Sequence, residues 1–229
     1  MGARGKSWKE AASVILVGRA TNRKSAFDYR VLLLTRNSRG SFAGAHVFPG
    51  GTLDNADLSP SWMELFRDAG MSSKSVMTTI KGPRPPMMSI DRHTVVPNDV
   101  AFRICAIRET FEESGVLLLK KRSSSGSGSI IQGTVPPYGS SLNSELNSDM
   151  LKQWRTRVHA DASQFITLCK ELRCVPDIWA LAEWSNWLTP AGQPRRFDTM
   201  FYLCFLDSTP DVDHDKAEMV KSQVGLWVP

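Results

Sequence analysis

The octad Arg108-Glu109-Thr110-Phe111-Glu112-Glu113-Ser114-Gly115 crowds three carboxylates into five positions beside an apolar repeat. Val100, Ile104, Ile107 and Phe111 recur at i, i+4, i+7 and i+11, which lays one apolar stripe along a helix. Pro97-Asn98-Asp99 offers the start, with Asn98 or Asp99 as the expected cap. Gly115 stands where such a helix ends on a left-handed residue. Glu109, Glu112 and Glu113 then share one face at i, i+3 and i+4, where like charges repel. The apolar stripe must be buried, so the acidic edge is expected to face a cleft.

Hard divalent cations resolve such a conflict, because they take oxygen ligands from carboxylates and phosphates together. Glu109, Glu112 and Glu113 are therefore the candidate metal ligands. Arg108, four residues before Glu112, can pair with that carboxylate and fix its rotamer. A bare E-x-x-E-E is more often a solvated acidic face. The longer pattern R-E-x-x-E-E-x-G fixes six positions, and chance yields it about once in 10⁵ chains of this length. Upstream, Pro49-Gly50-Gly51 adds a turn whose amides can approach a ligand closely.

Around this helix the chain alternates strands and helices, which argues an α/β layered domain. Strands are expected at Ser13–Val17, Val31–Thr35, Val116–Leu119, Ile178–Leu188 and Phe197–Leu206. Further helices are expected at 61–69, 149–157 and 162–172, and a turn at 190–194. Residues 58–97 lose periodicity and contain Lys81-Gly82-Pro83-Arg84-Pro85-Pro86, so they are read as an insertion lying on the surface. Residues 121–148 include a Ser/Gly run and are expected to be a flexible link. One domain over 9–229 accounts for all of this.

A net charge of +5 suits a polyanionic partner, either a phosphorylated small molecule or a nucleic acid. Cys105, Cys169, Cys174 and Cys204 are scattered, with no C-x-x-C pair and no nearby histidine at zinc spacing, so a reduced intracellular compartment is expected. Cys105 lies in the helical apolar pattern and is expected to be a buried, inert thiol. No run of 18 apolar residues occurs, so no membrane span is expected.

The octad and the glycine turn resemble the Nudix box, G-x5-E-x7-R-E-U-x-E-E-x-G-U, where U is bulky and apolar. With Gly51 as its first glycine, Asp57 stands in place of the first glutamate. Thr110 takes an apolar slot, and Val116 fits the last one. Arg108 arrives 43 residues later than the box places it, so the box is interrupted. With the segments 8–17, 45–51, 99–119, 174–190 and 195–206, the chain is similar to the peroxisomal coenzyme A diphosphatase branch of the Nudix family. The resemblance implies a Nudix α/β/α sandwich around a mixed β-sheet. It also implies that Mg²⁺ or Mn²⁺ supports hydrolysis of coenzyme A or acyl-CoA to adenosine 3′,5′-bisphosphate and a phosphopantetheine. Glu112, Glu113 and Arg108 would be catalytic, and Arg36, Gly50 and Gly51 would meet the substrate. Two other readings stay open: a Nudix enzyme acting on capped RNA, and a non-catalytic Nudix fold that senses or binds. The retained glutamates weigh against the last.

The branch implies a peroxisomal address, but Trp227-Val228-Pro229 does not match an S-K-L-type tripeptide, leaving cytosol and mitochondria open. The chain also stops where such enzymes continue, as a fragment or a shorter form would. Asp57 has even claims to a metal role and to none. Arg39, Arg195 and Arg196 are read as solvated, and Trp179, Trp184 and Trp187 as core or strand-edge residues. His46 is read as structural, while His93, His159 and His214 carry no signal. The acidic run 211–215 is read as a solvated loop.

Overall fold

The apolar run expected at 13–17 is the middle of a longer strand, β1 (Lys9–Arg19), which forms the spine of a mixed sheet. The structure is a computed structural model and describes residues 8–19, 29–36, 44–76, 83–121, 139, 141–143, 146–210 and 222–228. β1 pairs in parallel with β8 (Phe197–Leu206) over ten residues, from Lys9↔Phe197 to Gly18↔Leu206. Every other pairing in the sheet is antiparallel. β2 (Tyr29–Arg36) joins β1 and carries β3 (His46–Val47) and β9 (Ser222–Val228), while β7 (Ala182–Leu188) closes the far edge against β8. β4 (Gly50–Thr52) lies along β1 in the register Ser13↔Gly50, Ala12↔Gly51 and Ala11↔Thr52.

Alternation along the parallel pair decides which face is core. Ala12, Val14 and Leu16 stand opposite Met200, Tyr202 and Cys204, and all six are buried. Their neighbours Ile15, Phe201 and Leu203 point the other way and are only half-buried. Helix α3 (Asn98–Ser114) packs on this core, and Val100, Ile104, Ile107 and Phe111 are fully buried. Gly115 ends it with φ 74°, and its N–H returns to Phe111 O, as the sequence suggests. The start differs from expectation. Pro97 holds the cap position without a side-chain bond, because Asn98 Nδ2 is directed at the carbonyls of Met87, Met88 and Ile90.

The insertion does not simply lie on the surface. Helix α1 (Ser61–Asp68) buries Trp62, Leu65 and Phe66, and Met87 and Val96 join the same core. Trp62 packs on Phe165 of α5 (Gln164–Glu171), and Phe66 packs edge-on against Trp179. A short α2 (Ser73–Val76) follows α1. Arg84 reaches Asp99 at 2.9 Å and Glu183 at 2.5 Å, and Arg92 reaches Glu10 at 2.5 Å. The insertion is thus fastened to α3, β7 and β1 by charge as well as by packing.

Two strand boundaries also move. Residues 116–118 are buried, with only Leu118 bridged, to Ser141, and β5 (Leu119–Lys121) begins after them, pairing with β6 (Cys174–Pro176). Ile178–Ala180 forms a 3-10 turn before β7, so the expected strand at 178–188 is only its second half. Of the expected flexible link, residues 122–138, 140 and 144–145 lie outside the described residues. The described ones are anchored: Asn143 bonds Gly115 O and Leu117 N at 2.7 and 2.8 Å, and Gly139 N donates to Phe205 O. Helix α4 (Ser148–Ala160) follows, capped by the Asn147 side chain. Among the described residues no helix is long and apolar enough to cross a membrane.

Candidate functional site

The turn at Pro49-Gly50-Gly51 is pinned to β1 before any functional group is considered. Pro49 O accepts from Val14 N at 2.9 Å and from Ser13 Oγ at 2.8 Å. This fixes Gly50 and Gly51 directly over the acidic end of α3. Gly50 N donates to Glu113 Oε2 at 2.9 Å. A Cβ on Gly51 would fall on the Glu109 carboxylate, well inside contact distance, so only glycine allows that approach. Glu109 and Glu113, one turn apart, therefore both meet the glycine turn.

Arg108 occupies the centre of the cluster. Its Nε and Nη2 donate to Asp57 Oδ1 and Oδ2, each at 2.9 Å, in a two-pronged fork. Nη1 donates to Glu109 Oε1 at 3.0 Å and to Glu112 Oε1 at 2.5 Å, and Nη2 also reaches Thr52 O. Arg108 is 3% exposed and Asp57 is fully buried. Burial alone would lower the guanidinium pKa, but hydrogen bonding and charge from Asp57 outweigh it and hold the pKa above its ordinary value. Ionised, three carboxylates around one guanidinium leave a local excess of negative charge.

Asp57 is the residue whose place in the sequence was ambiguous. The chain leaves the box just after Asp57 and returns at α3, so the insertion does not separate Asp57 from Arg108. Its carboxylate also accepts from Asp54 N at 2.9 Å, closing a capping box on a short 3-10 turn. Here Asp57 is the counter-ion of Arg108. Thr110, in an apolar slot, satisfies its hydroxyl on Ala106 O at 2.7 Å, which makes its burial inexpensive.

The acidic edge is less open than the sequence suggests. Glu109 is 5% and Glu112 9% exposed, and Glu113 is half-buried. Among the described residues, no three His, Cys, Asp or Glu side chains are gathered in a metal-holding group as they stand. The reason is visible in the contacts: Arg108 binds Glu109 and Glu112, while Gly50 binds Glu113. Cys105 lies beneath them, fully buried; burial, then the Asp57 charge, pushes its thiol up, in keeping with an inert role.

Two residues reach the site from α4: His159, which carried no signal in the sequence, and Arg155, which the sequence did not single out. Arg155 donates to Glu112 O and Glu113 O, and His159 Nδ1 lies 3.4 Å from Glu112 Oε2. Only a long-range contact reveals them. Other candidates sit elsewhere or outside the description. Arg36 lies in β2 with its side chain outside the described residues, as are Arg39 and residues 211–215. Arg196 holds Thr189 O and stacks over Trp8, and Arg195 is exposed. Trp184 and Trp187 are exposed on the edge strand β7, while Trp179 packs against the core.

Known proteins resemble this chain in sequence and in fold. The family profile for the NUDT19 Nudix domain matches residues 8–227. The chain is 44% identical over 242 residues to the acyl-coenzyme A diphosphatase NUDT19 of Gallus gallus, covering 99% of this chain and 62% of the relative. It is 41% identical over 236 residues to the Homo sapiens protein of the same name, covering 94% and 60%. It therefore spans about three fifths of the length of these relatives. Among solved structures, a NUDIX hydrolase from Alicyclobacillus acidocaldarius superposes with a TM-score of 0.63 at 23% identity, covering 98% of this chain and 80% of the other. That likeness concerns the fold, a mixed sheet with flanking helices. With the interrupted box reassembled in space and the profile matched almost from end to end, the chain belongs to the family of the NUDT19 Nudix domain.

Proposed function

We propose that this domain hydrolyses the diphosphate bond of coenzyme A or its acyl esters, releasing adenosine 3′,5′-bisphosphate and the corresponding phosphopantetheine, with Mg²⁺ or Mn²⁺ as cofactor. The observation that carries the reading is spatial: Gly50, Gly51, Asp57, Arg108, Glu109, Glu112 and Glu113 come together although an insertion divides them in sequence. The substrate class is supported by the names of the relatives, acyl-coenzyme A diphosphatases.

The chemistry of the donors, rather than their present grouping, suits a hard divalent cation. Every candidate ligand is a carboxylate oxygen, and the excess negative charge around Arg108 is what a cation would offset. Glu109, Glu112 and Glu113 would hold it. When bound, such an ion offsets phosphate charge and makes a water molecule more acidic. The chain's own residues do the rest. Arg108 orients Glu109 and Glu112, Gly50 N–H orients Glu113, and Asp57 keeps Arg108 in place. Glu112, Glu113 or a residue from a later loop accepts the proton of the attacking water, and Arg36, Gly50 and Gly51 meet the substrate.

Incubation with Mg²⁺ and coenzyme A, an acyl-CoA or capped RNA, with products identified by mass spectrometry, tests this. Adenosine 3′,5′-bisphosphate from the first two is expected. Release of a capped nucleotide alone, or of nothing, would overturn the substrate assignment.

Gly51→Ala offers a narrower check. The new methyl meets the end of the Glu109 side chain rather than backbone, so the fold should be retained by circular dichroism while Glu109 shifts against Arg108. Turnover should fall up to about 10²-fold, the scale of a 1 Å misplacement at a reacting centre. Unchanged turnover would mean that the position of Glu109 does not matter.

A further inference from the structure

We propose that α4 is a positioning element for the acidic end of α3, acting on Glu112 and Glu113 through Arg155 and His159. The inference rests on the reading that these glutamates hold the divalent cation.

The last four carbonyls of an α-helix have no partner within it. At the end of α3, Arg155 Nε donates to Glu112 O at 2.8 Å and Nη2 to Glu113 O at 2.9 Å. One guanidinium thus forks across the main chain of both glutamates. It is buried, 7% exposed, and places its charge at the negative end of the helix dipole. One turn further along α4, His159 Nδ1 stands 3.4 Å from Glu112 Oε2. Positions i and i+4 of α4 therefore both reach the same residue, Arg155 bonding its carbonyl and His159 standing beside its carboxylate. A cap serving stability alone would need only the first contact. The remaining carboxylate, Glu113, is held by Gly50 N–H at 2.9 Å. Between α4 and the glycine turn, both side chains are constrained in backbone and rotamer before any ligand arrives. Partners standing behind metal ligands in this way alter metal affinity when removed, by about 10–100-fold.

The experiment measures Mn²⁺ binding by electron paramagnetic resonance, with the metal alone and no substrate, well below each variant's melting temperature. Arg155→Met, Arg155→Lys and His159→Leu are compared with wild type and with Glu112→Gln. Arg155→Met and His159→Leu should weaken Mn²⁺ binding about tenfold or more with unchanged circular dichroism. Arg155→Lys should recover part of the loss. If these variants bind Mn²⁺ like wild type while Glu112→Gln does not, α4 is a structural cap and the proposal is wrong. If Glu112→Gln also binds like wild type, the metal assignment itself has failed and takes the proposal with it. Should Arg155→Met not fold, His159→Leu, at a half-exposed site, decides by the same criterion.

Discussion

Glu112→Gln and Glu113→Gln are each expected to lose most of kcat, about 10²–10⁴-fold where the residue accepts the proton of the attacking water. The substitution keeps the side-chain volume and removes only the charge. A glutamine at 113 still offers an oxygen to Gly50 N–H, so the turn keeps its bond. A glutamine at 112 leaves Arg108 paired with Asp57 and Glu109, so the buried guanidinium remains compensated. Both variants should therefore melt close to wild type, which separates a chemical defect from a folding one. The measurement is kcat at saturating Mg²⁺ and coenzyme A, with circular dichroism as the folding control. Near-wild-type turnover in either variant would remove that glutamate from the mechanism. The same pair also tests whether the two carboxylates share one role: a hundredfold gap between them would mark one as the proton acceptor.

How far the sequence reaches depends on the range of the interaction concerned. Helix α3 was legible because its apolar spacing and its terminal glycine are local signals, and both survive in the structure. Its cap was not, because Asn98 is drawn to three carbonyls of the insertion, a contact no local rule contains. Helix α1 was legible at 61–69, but the burial of Trp62 and Phe66 was not, because it comes from Phe165 and Trp179, about a hundred residues downstream. Residues 178–180 read as strand because they are apolar, yet the backbone turns there to let β7 meet β8. The box residues were legible as a set. Their internal wiring was not, since Asp57 lies 51 positions from Arg108 and Arg155 lies 42 from Glu113.

That wiring makes Arg108 the residue with the largest expected effect on stability. Arg108→Met leaves Asp57 fully buried without its fork and leaves Glu109 and Glu112 facing each other with no cation between them. Removing one partner of a buried ion pair costs about 3–5 kcal/mol, because the other charge is left uncompensated. In a domain of this size that corresponds to a fall in melting temperature on the order of 10 °C. Asp57→Asn should be milder. Arg108 then still has two carboxylates, and the asparagine oxygen can accept one of the two lost bonds. The asymmetry carries the argument: if Arg108 mainly served to bind substrate, its loss would slow turnover while leaving the melting temperature near wild type. If it is the internal counter-ion of the cluster, the order of stability is wild type, then Asp57→Asn, then Arg108→Met. Calorimetry on the three proteins decides. An Arg108→Met variant as stable as wild type would mean that this guanidinium does not hold the acidic cluster together, and that the cluster is neutralised by something else.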